Sequence, residues 1–238
     1  MSLADAVKRR LHREIVADPV LHGLVLNLYL NGEEYPHRVD DYFPTTVGDE
    51  WGLGAAMRDH QADEDKHVAL YTRAIEKLGE PIRCLPMADI FNEVIRNHTP
   101  VGFAMTPQDD RDQRRVKLAH FFAHAHFLEK RIARSLDYHG DACAHAASPY
   151  PGKAVSAVLR DEARHVAYTL DAVHDLLPSA EAQDILRMHA AAERQANVDF
   201  SAAQLGRLLR EHRRRFSLAG WAMFKPCTLL LNACLTYG

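Results

Sequence analysis

The sequence predicts an all-α protein, and three observations carry that reading. Alanine, leucine, arginine and glutamate dominate long segments, as good helix formers do. The alternation of apolar and polar residues that marks a half-buried strand is nearly absent. Most of the 12 glycines and 11 prolines fall between those segments, where they stop helices. At 238 residues the chain can bury a substantial core. No stretch is long and polar enough to mark a linker, so one domain over residues 1–238 is expected.

The elements follow in order. A first long helix is expected over about 19–42, carrying Leu21, Leu24, Leu28 and Glu34, with Pro36 kinking or ending it. A second spans about 49–78 and stops at Gly79 and Pro81. A shorter helix over about 87–97 leads into a loop holding Pro100, Gly102 and Pro107. The third long helix covers about 108–138, with Gly140 as its stop, and the fourth covers about 152–177, ended by Pro178. A fifth runs over about 180–214. The apolar segment Trp221 to Leu235, interrupted by Lys225, Pro226 and Asn232, reads as a helix or strap packed on the body. It falls short of the ~20 apolar residues that a membrane span needs. Four long helices in two pairs, joined by a long crossover, suggest a four-helix bundle with additions.

Composition narrows the function. Hydrophobic residues make up 47% and charged residues 26%, and the net charge is −3, which gives no reason to expect a membrane or nucleic-acid partner. The run Arg213-Arg214-Arg215 reads as a solvated helix end. Cys84, Cys143, Cys227 and Cys234 form no Cys-x-x-Cys pair, so neither a zinc knuckle nor a secreted disulfide framework is expected. Asp5, Lys8, Arg9 and Arg10 leave no apolar signal core near the N-terminus. The expected compartment is the cytoplasm.

The chemistry lies in a repeat. Asp63-Glu64-Asp65-Lys66-His67-Val68-Ala69 returns as Asp161-Glu162-Ala163-Arg164-His165-Val166-Ala167. Glu-x-x-His sets a carboxylate and an imidazole a turn apart on one helix face. With 15 histidines and 13 glutamates in the chain, about one such match is expected by chance. Three occur, at Glu34/His37, Glu64/His67 and Glu162/His165. The last two also share the aspartate, the basic residue and Val-Ala, and that shared frame carries the weight. Each lies downstream of a helix with its own glutamate, Glu34 before the first and Glu129 before the second. Glu129 sits in an apolar stretch, where an unpaired carboxylate is costly to bury and a metal would offset the cost. Four carboxylates with two imidazoles suit iron or manganese better than copper or structural zinc.

At these residues the chain resembles the ferritin-like di-iron carboxylate superfamily, whose motif is Glu, Glu-x-x-His, Glu, Glu-x-x-His on four helices. The likeness covers about residues 19–177, with extra helices over about 180–238. It implies a ferritin-like bundle holding two iron ions, with manganese or a mixed pair as alternatives. The implied ligands are Glu34, Glu64, His67, Glu129, Glu162 and His165, with Glu64 and Glu162 bridging. It also implies crossed support, Asp63 holding His165 and Asp161 holding His67. Glu33 and Glu34 are adjacent, about 100° apart on a helix, and only one can point inward. Glu34 is preferred because it lies close in angle to Leu30, Asn27 and Gly23.

His60, four residues before Glu64, makes a His-x-x-x-Glu-x-x-His pattern like that of some seven-ligand di-iron N-oxygenases. Val158 stands at the matching place in the second repeat, so the ligand set is drawn without His60. His120, His124 and His126 read as a partly exposed polar face, and Tyr71, Tyr168, Phe121, Phe122 and Phe127 as core. The expected function is a di-iron oxidase or oxygenase that uses O2 to hydroxylate, N-oxygenate or desaturate a small organic substrate. No flavin or nicotinamide fingerprint is present, so electrons would come from a separate donor or reductase. A homodimer is a further expectation. Iron or peroxide handling of ferroxidase or rubrerythrin type is the alternative, and hydroxylation of a tRNA base on a face of Arg207, Arg210 and Arg213 is another.

Overall fold

The computed structural model describes residues 3–40, 42–144, 146 and 148–237, with residues 232–237 described by backbone alone. Among the described residues, regular secondary structure is helical and no strand occurs.

Helix α1, Leu3–Ala17, occupies a stretch read from sequence only as a charged N-terminus. It is amphipathic: His12, Ile15 and Val16 are buried, while Arg9 reaches out to pair with Asp137 and Asp141. Helix α2, Pro19–Glu33, starts under an Asp18 cap whose Oδ1 accepts from Val20 N at 2.9 Å and Leu21 N at 3.1 Å. Such a cap stabilises a helix by about 1 kcal/mol. The helix ends at Glu33, not near Tyr42, because Pro36 offers no N–H and Tyr35–Arg38 tighten into a 3-10 turn.

Helix α3, Thr45–Asp49, is a short turn. Gly52, at φ 72°, reverses the chain before helix α4, Gly54–Lys77, so that helix begins later than expected. Gly79, at φ 73°, closes it in the left-handed conformation of a helix C-terminus. The chain after α4 folds back over α2. There Asn27 Nδ2 donates to Pro81 O and Asn31 Nδ2 to Arg83 O, while the N–H groups of Arg83 and Leu85 donate to the two asparagine oxygens. A Cβ at Gly23 would come within 2.6 Å of Glu80 Cγ, so only glycine admits this strap so closely.

Helix α5, Phe91–His98, leads to helix α6, Arg111–Cys143, which opens on an Asp110/Gln113 capping box. Gly140 does not stop α6, and the helix continues to Cys143. Helix α7, Pro149–Leu176, begins with proline in its first turn, where the missing N–H costs nothing. Helix α8, Ser179–Glu211, and helix α9, Leu218–Tyr237, complete the chain. The apolar C-terminal segment is thus helical, packed on α8 and α1 with Phe224 fully buried. No helix among the described residues is long and apolar enough to cross a membrane. Cys84, Cys143 and Cys227 are free thiols, and Cys234 lies outside the described side chains. Arg213, Arg214 and Arg215 are exposed, as a solvated run would be, with Arg215 paired with Asp18 at 3.0 Å and Arg213 stacked 4.5 Å over Trp221, while Arg207 pairs with Asp89 at 2.5 Å.

Helices α2, α4, α6 and α7 carry the chemistry-bearing residues. α6 lies along α7, α2 along α4, and α4 along α7. Two apolar layers form between them. One holds Met57, Phe122 and Val173, and the other holds Leu30, Tyr71, Leu136 and Val158. Along α4 the order is Met57, then His60, Glu64 and His67, then Tyr71. Along α6 it is Phe122, Glu129, Leu136. The titratable residues therefore fill a polar layer between two greasy plugs, shielded from water at both ends.

Candidate metal centre

Seven side chains converge in that layer, in two adjoining groups. Glu33, Glu64, His67 and Glu162 form one, and His60, Glu129 and His165 the other. All are buried, Glu162 and His67 completely. His67 Nδ1 lies 3.3 Å from Glu33, 3.8 Å from Glu64 and 3.7 Å from Glu162. His165 Nδ1 lies 3.3 Å from Glu162 and 3.9 Å from Glu64. His60 Nε2 faces Glu64 at 3.3 Å and Glu129 at 3.5 Å. Glu64 and Glu162 each face both repeat histidines, as bridging carboxylates would.

Of the expected ligands, Glu64, His67, Glu129, Glu162 and His165 meet here, and Glu34 does not. Glu34 is the residue that terminates α2. Its angular neighbours Asn27 and Asn31 are buried beneath the folded-back strap, not toward the carboxylates. Glu33 follows Leu26 and Leu30, which face α4, and is 3% exposed. Both faces of α2 are covered, so burial of Leu30, Asn27 and Gly23 did not distinguish the inward one. Accordingly, Glu33→Ala should lower the iron retained per chain by at least half, while Glu34→Ala retains the wild-type content, as read by metal analysis after ferrous loading.

His60, left out of the expected set, stands at the centre. Its ring stacks on His165 with centroids 3.7 Å apart, and its Nδ1 meets Tyr168 Oη at 2.6 Å. The signal was its place one helical turn before Glu64. Val158 in the other repeat masked it, because His60 has no counterpart across the site.

The aspartates cross over. His67 Nε2 lies 3.2 Å from Asp161 and His165 Nε2 lies 3.3 Å from Asp63. Each ring thus has an acceptor for its Nε2–H, leaving the Nδ1 lone pair toward the carboxylates. The basic residues of the repeat complete a clasp. Lys66 Nζ lies 2.6 Å from both aspartates, and Arg164 reaches Asp63 at 2.9 Å and Asp161 at 2.5 Å. Burial would raise the Asp161 carboxyl, but hydrogen bonds from Lys66, Arg164 and His67 hold it well below the usual range. Asp161→Asn is expected to weaken metal affinity by about 10- to 100-fold without abolishing binding, measured by competition with a chelator of known affinity.

The layer's electrostatics call for a cation. Burial pushes Glu33 up to about 8, and burial together with neighbouring carboxylates pushes Glu64 and Glu162 well above the ordinary value. At Glu129 burial is outweighed by His60, and the carboxyl is held low. At His60 burial is outweighed by Glu129 and Glu64, and the ring is held high. Metal-free, the layer sets a raised His60 ring beside a lowered Glu129 carboxyl, and a cation bound there would compete with the protons that burial favours on the other carboxyls. Three buried atoms of the layer, His60 Nε2, Glu64 Oε1 and Glu162 Oε1, have no hydrogen-bond partner, and the first two face each other at 3.3 Å. Ligands bonded at about 2.1 Å around one octahedral ion stand about 3.0 Å apart. Spacings of 3.3–3.9 Å leave room for ions with little movement. The donor set therefore fits two hard or borderline divalent ions.

Beside His60 lies an aromatic wall. Phe43 meets His60 at 5.0 Å and Phe121 at 5.8 Å, and Tyr42 meets Phe43 at 5.1 Å. Tyr42 and Phe121 line a cavity of about 110 Å³ that also touches Phe103, Met105, Arg96 and Asp40. Phe121 and Phe122 are core, whereas Phe127 is half-exposed under Lys130. His120, His124 and His126 are not a partly exposed face. All three are buried, His120 against His189 at 3.0 Å and His126 donating from Nδ1 to Val166 O at 3.0 Å. His189 of α8 lies against His120 and His124, and α7 lies against His126, which the helical pattern of α6 alone did not show. Tyr71 is buried with no partner for its hydroxyl.

No family model, curated protein or solved structure matches this chain.

Proposed function

We propose that the chain is a di-iron carboxylate oxidase or oxygenase, with α2, α4, α6 and α7 forming a ferritin-like four-helix bundle and α8 and α9 added to it. The observation that carries this reading is the convergence of seven buried donors, with three orphaned atoms among them, beside a small aromatic-walled cavity. An oxygen-rich set with imidazole nitrogens suits iron or manganese. Two bound ferrous ions would supply activation of O2, which no side chain can supply.

The residues do the rest. Glu33, Glu64, Glu129 and Glu162 would hold the two ions together with His67 and His165. Asp161 and Asp63 fix the ring orientation of His67 and His165. His60 Nδ1 meets Tyr168 Oη, and its Nε2 faces Glu64 and Glu129. The apolar layers above and below exclude water, which protects a reactive centre from side reactions. At about 110 Å³ the cavity is well below the ~300–1,000 Å³ of sites for drug-sized ligands. The substrate is accordingly a small organic molecule, seated against Tyr42 and Phe121, with electrons delivered by a separate donor protein.

The test is anaerobic ferrous loading followed by mixing with O2 in a stopped-flow spectrophotometer. Two irons per chain and an absorbance transient whose decay quickens with a small organic substrate are expected. Fewer than one iron per chain after loading would overturn the reading. Oxidation of many ferrous ions per chain, indifferent to organic molecules, would point to iron handling instead.

A further inference from the structure

A second cluster of metal-ligating side chains lies at the far end of the same helices. His22 on α2 and His139 and Cys143 on α6 bring two ring nitrogens and a sulfur within 4.8 Å of one another, all buried. From Glu33 to His22, and from Glu129 to His139, the chain runs ten or eleven helical residues, about 15 Å at the helical rise. The cluster is thus separate from the carboxylate layer and independent of its iron reading.

Three features set it apart from an ordinary polar patch in a core. The nitrogens face each other directly, His22 Nε2 to His139 Nε2 at 2.9 Å, with Cys143 Sγ 3.9 Å from His22 Nε2. Zinc bonds of about 2.0 Å to nitrogen and 2.3 Å to sulfur give tetrahedral edges of about 3.3 Å between nitrogens and about 3.5 Å between nitrogen and sulfur. Small opposite shifts of the observed separations reach that geometry. Second, His139 Nδ1 lies 3.3 Å from Tyr29 Oη, which itself meets Ser135 Oγ at 3.3 Å. A proton on Nδ1 donated to that oxygen leaves the Nε2 lone pair free, the arrangement that supports metal-bound histidines. Third, His12 on α1 lies edge-on to His139 with centroids 5.4 Å apart, and its buried Nδ1 has no partner. It lies outside the group of donor atoms that stand within 4.8 Å of one another, and it is the neighbouring ring that would have to move inward to give a fourth bond. Val16 and Ala146 close the site with apolar surface.

We propose that His22, His139 and Cys143 form a second, structural metal site for a zinc-class divalent ion, with His12 as its fourth ligand, tying α1 and α2 to the end of α6. A nitrogen-and-sulfur set is softer than the carboxylate layer, so the two sites select different metals. The Cys143 thiol proton leaves to solvent as the thiolate bonds the ion. The ion replaces a hydrogen bond between two buried rings with bonds that reach three helices.

Cobalt(II) reports the site, because only a thiolate ligand gives an intense near-ultraviolet charge-transfer band. Titration of the full-length metal-free protein with cobalt should develop that band with one equivalent per chain. It should survive Glu162→Ala and Cys84→Ser and vanish in Cys143→Ala. X-ray absorption of zinc-loaded wild-type protein gives a readout that needs no variant, with one sulfur at about 2.3 Å and nitrogens at about 2.0 Å expected. Absence of the band in wild type, its persistence in Cys143→Ala, or a zinc shell of oxygen and nitrogen alone would each overturn the site.

Discussion

Glu162→Ala should cut iron loading from two ions per chain to one or fewer, while far-ultraviolet circular dichroism stays close to wild type. Glu162 is fully buried and reaches both His67 and His165, so no other carboxylate except Glu64 touches as much of the site. The loss of loading should come with little loss of fold. In the metal-free layer Glu162 sits against Glu129, Glu33 and Glu64, whose charges oppose its ionisation. Removing one member of such a crowded buried set relieves repulsion and desolvation, which offsets the cavity left behind. The metal-free variant is expected to melt at or above metal-free wild type. Ferrous ion should raise the melting temperature of wild type alone, since a ligand stabilises only the folded form that binds it. Retention of two irons by Glu162→Ala would remove it from the ligand set.

The second large effect is acid lability. His124 and His189 are buried together against Phe103, and burial pushes them down to about 4 and about 3. In the unfolded chain both would titrate near 6.5. A group held neutral in the fold contributes its stability above the unfolded value and loses it as pH falls toward the folded one. Stability should therefore be full above about pH 6.5 and decline steadily toward pH 4. At about 1.4 kcal/mol per pH unit for each group, the loss is several kcal/mol, comparable with the whole stability of many domains. Urea melts across that range would show it. His189→Gln, which keeps a polar group beside His120 but does not titrate, should flatten the decline. An unchanged pH profile in that variant would place the acid sensitivity elsewhere.

The repeat made the buried cluster legible because a carboxylate and an imidazole on one helix face recur at fixed spacing. Glu64, His67, Glu162 and His165 were readable on that ground, and Glu129 from its place in an apolar stretch upstream of the second repeat. The all-helical fold was readable from composition and punctuation, although α1 was hidden by its charged surface, since Ile15 and Val16 are too few to outweigh Arg9, Arg10 and Lys8. Glu33 was confused with Glu34 because the strap after α4 buries a second face of α2, and a one-residue choice there depends on a segment fifty residues away. His60 broke the symmetry that made the rest visible. His139 and Cys143 stand one helical turn apart on α6, but His22 lies 117 residues before His139, and only folding brings the three together.

The clasp of Asp63, Lys66, Asp161 and Arg164 has a consequence for how the molecule tolerates change. Each repeat contributes a ring whose support comes from the other repeat, so neither half contains a finished coordination environment. A slide of α4 along α7 by one turn would unseat both rings together and break the two crossing ion pairs, Lys66–Asp161 and Arg164–Asp63, at the same moment. Intermediate registers are therefore poor in contacts, and the pair has one deep alignment in place of several shallow ones. A gene for either half alone would encode a helical hairpin carrying two carboxylates and a repeat imidazole, with His60 besides in the first half, and nothing to aim the repeat ring. Joining the halves in one chain turns register into a shared property, fixed by the same residues that aim the ligands.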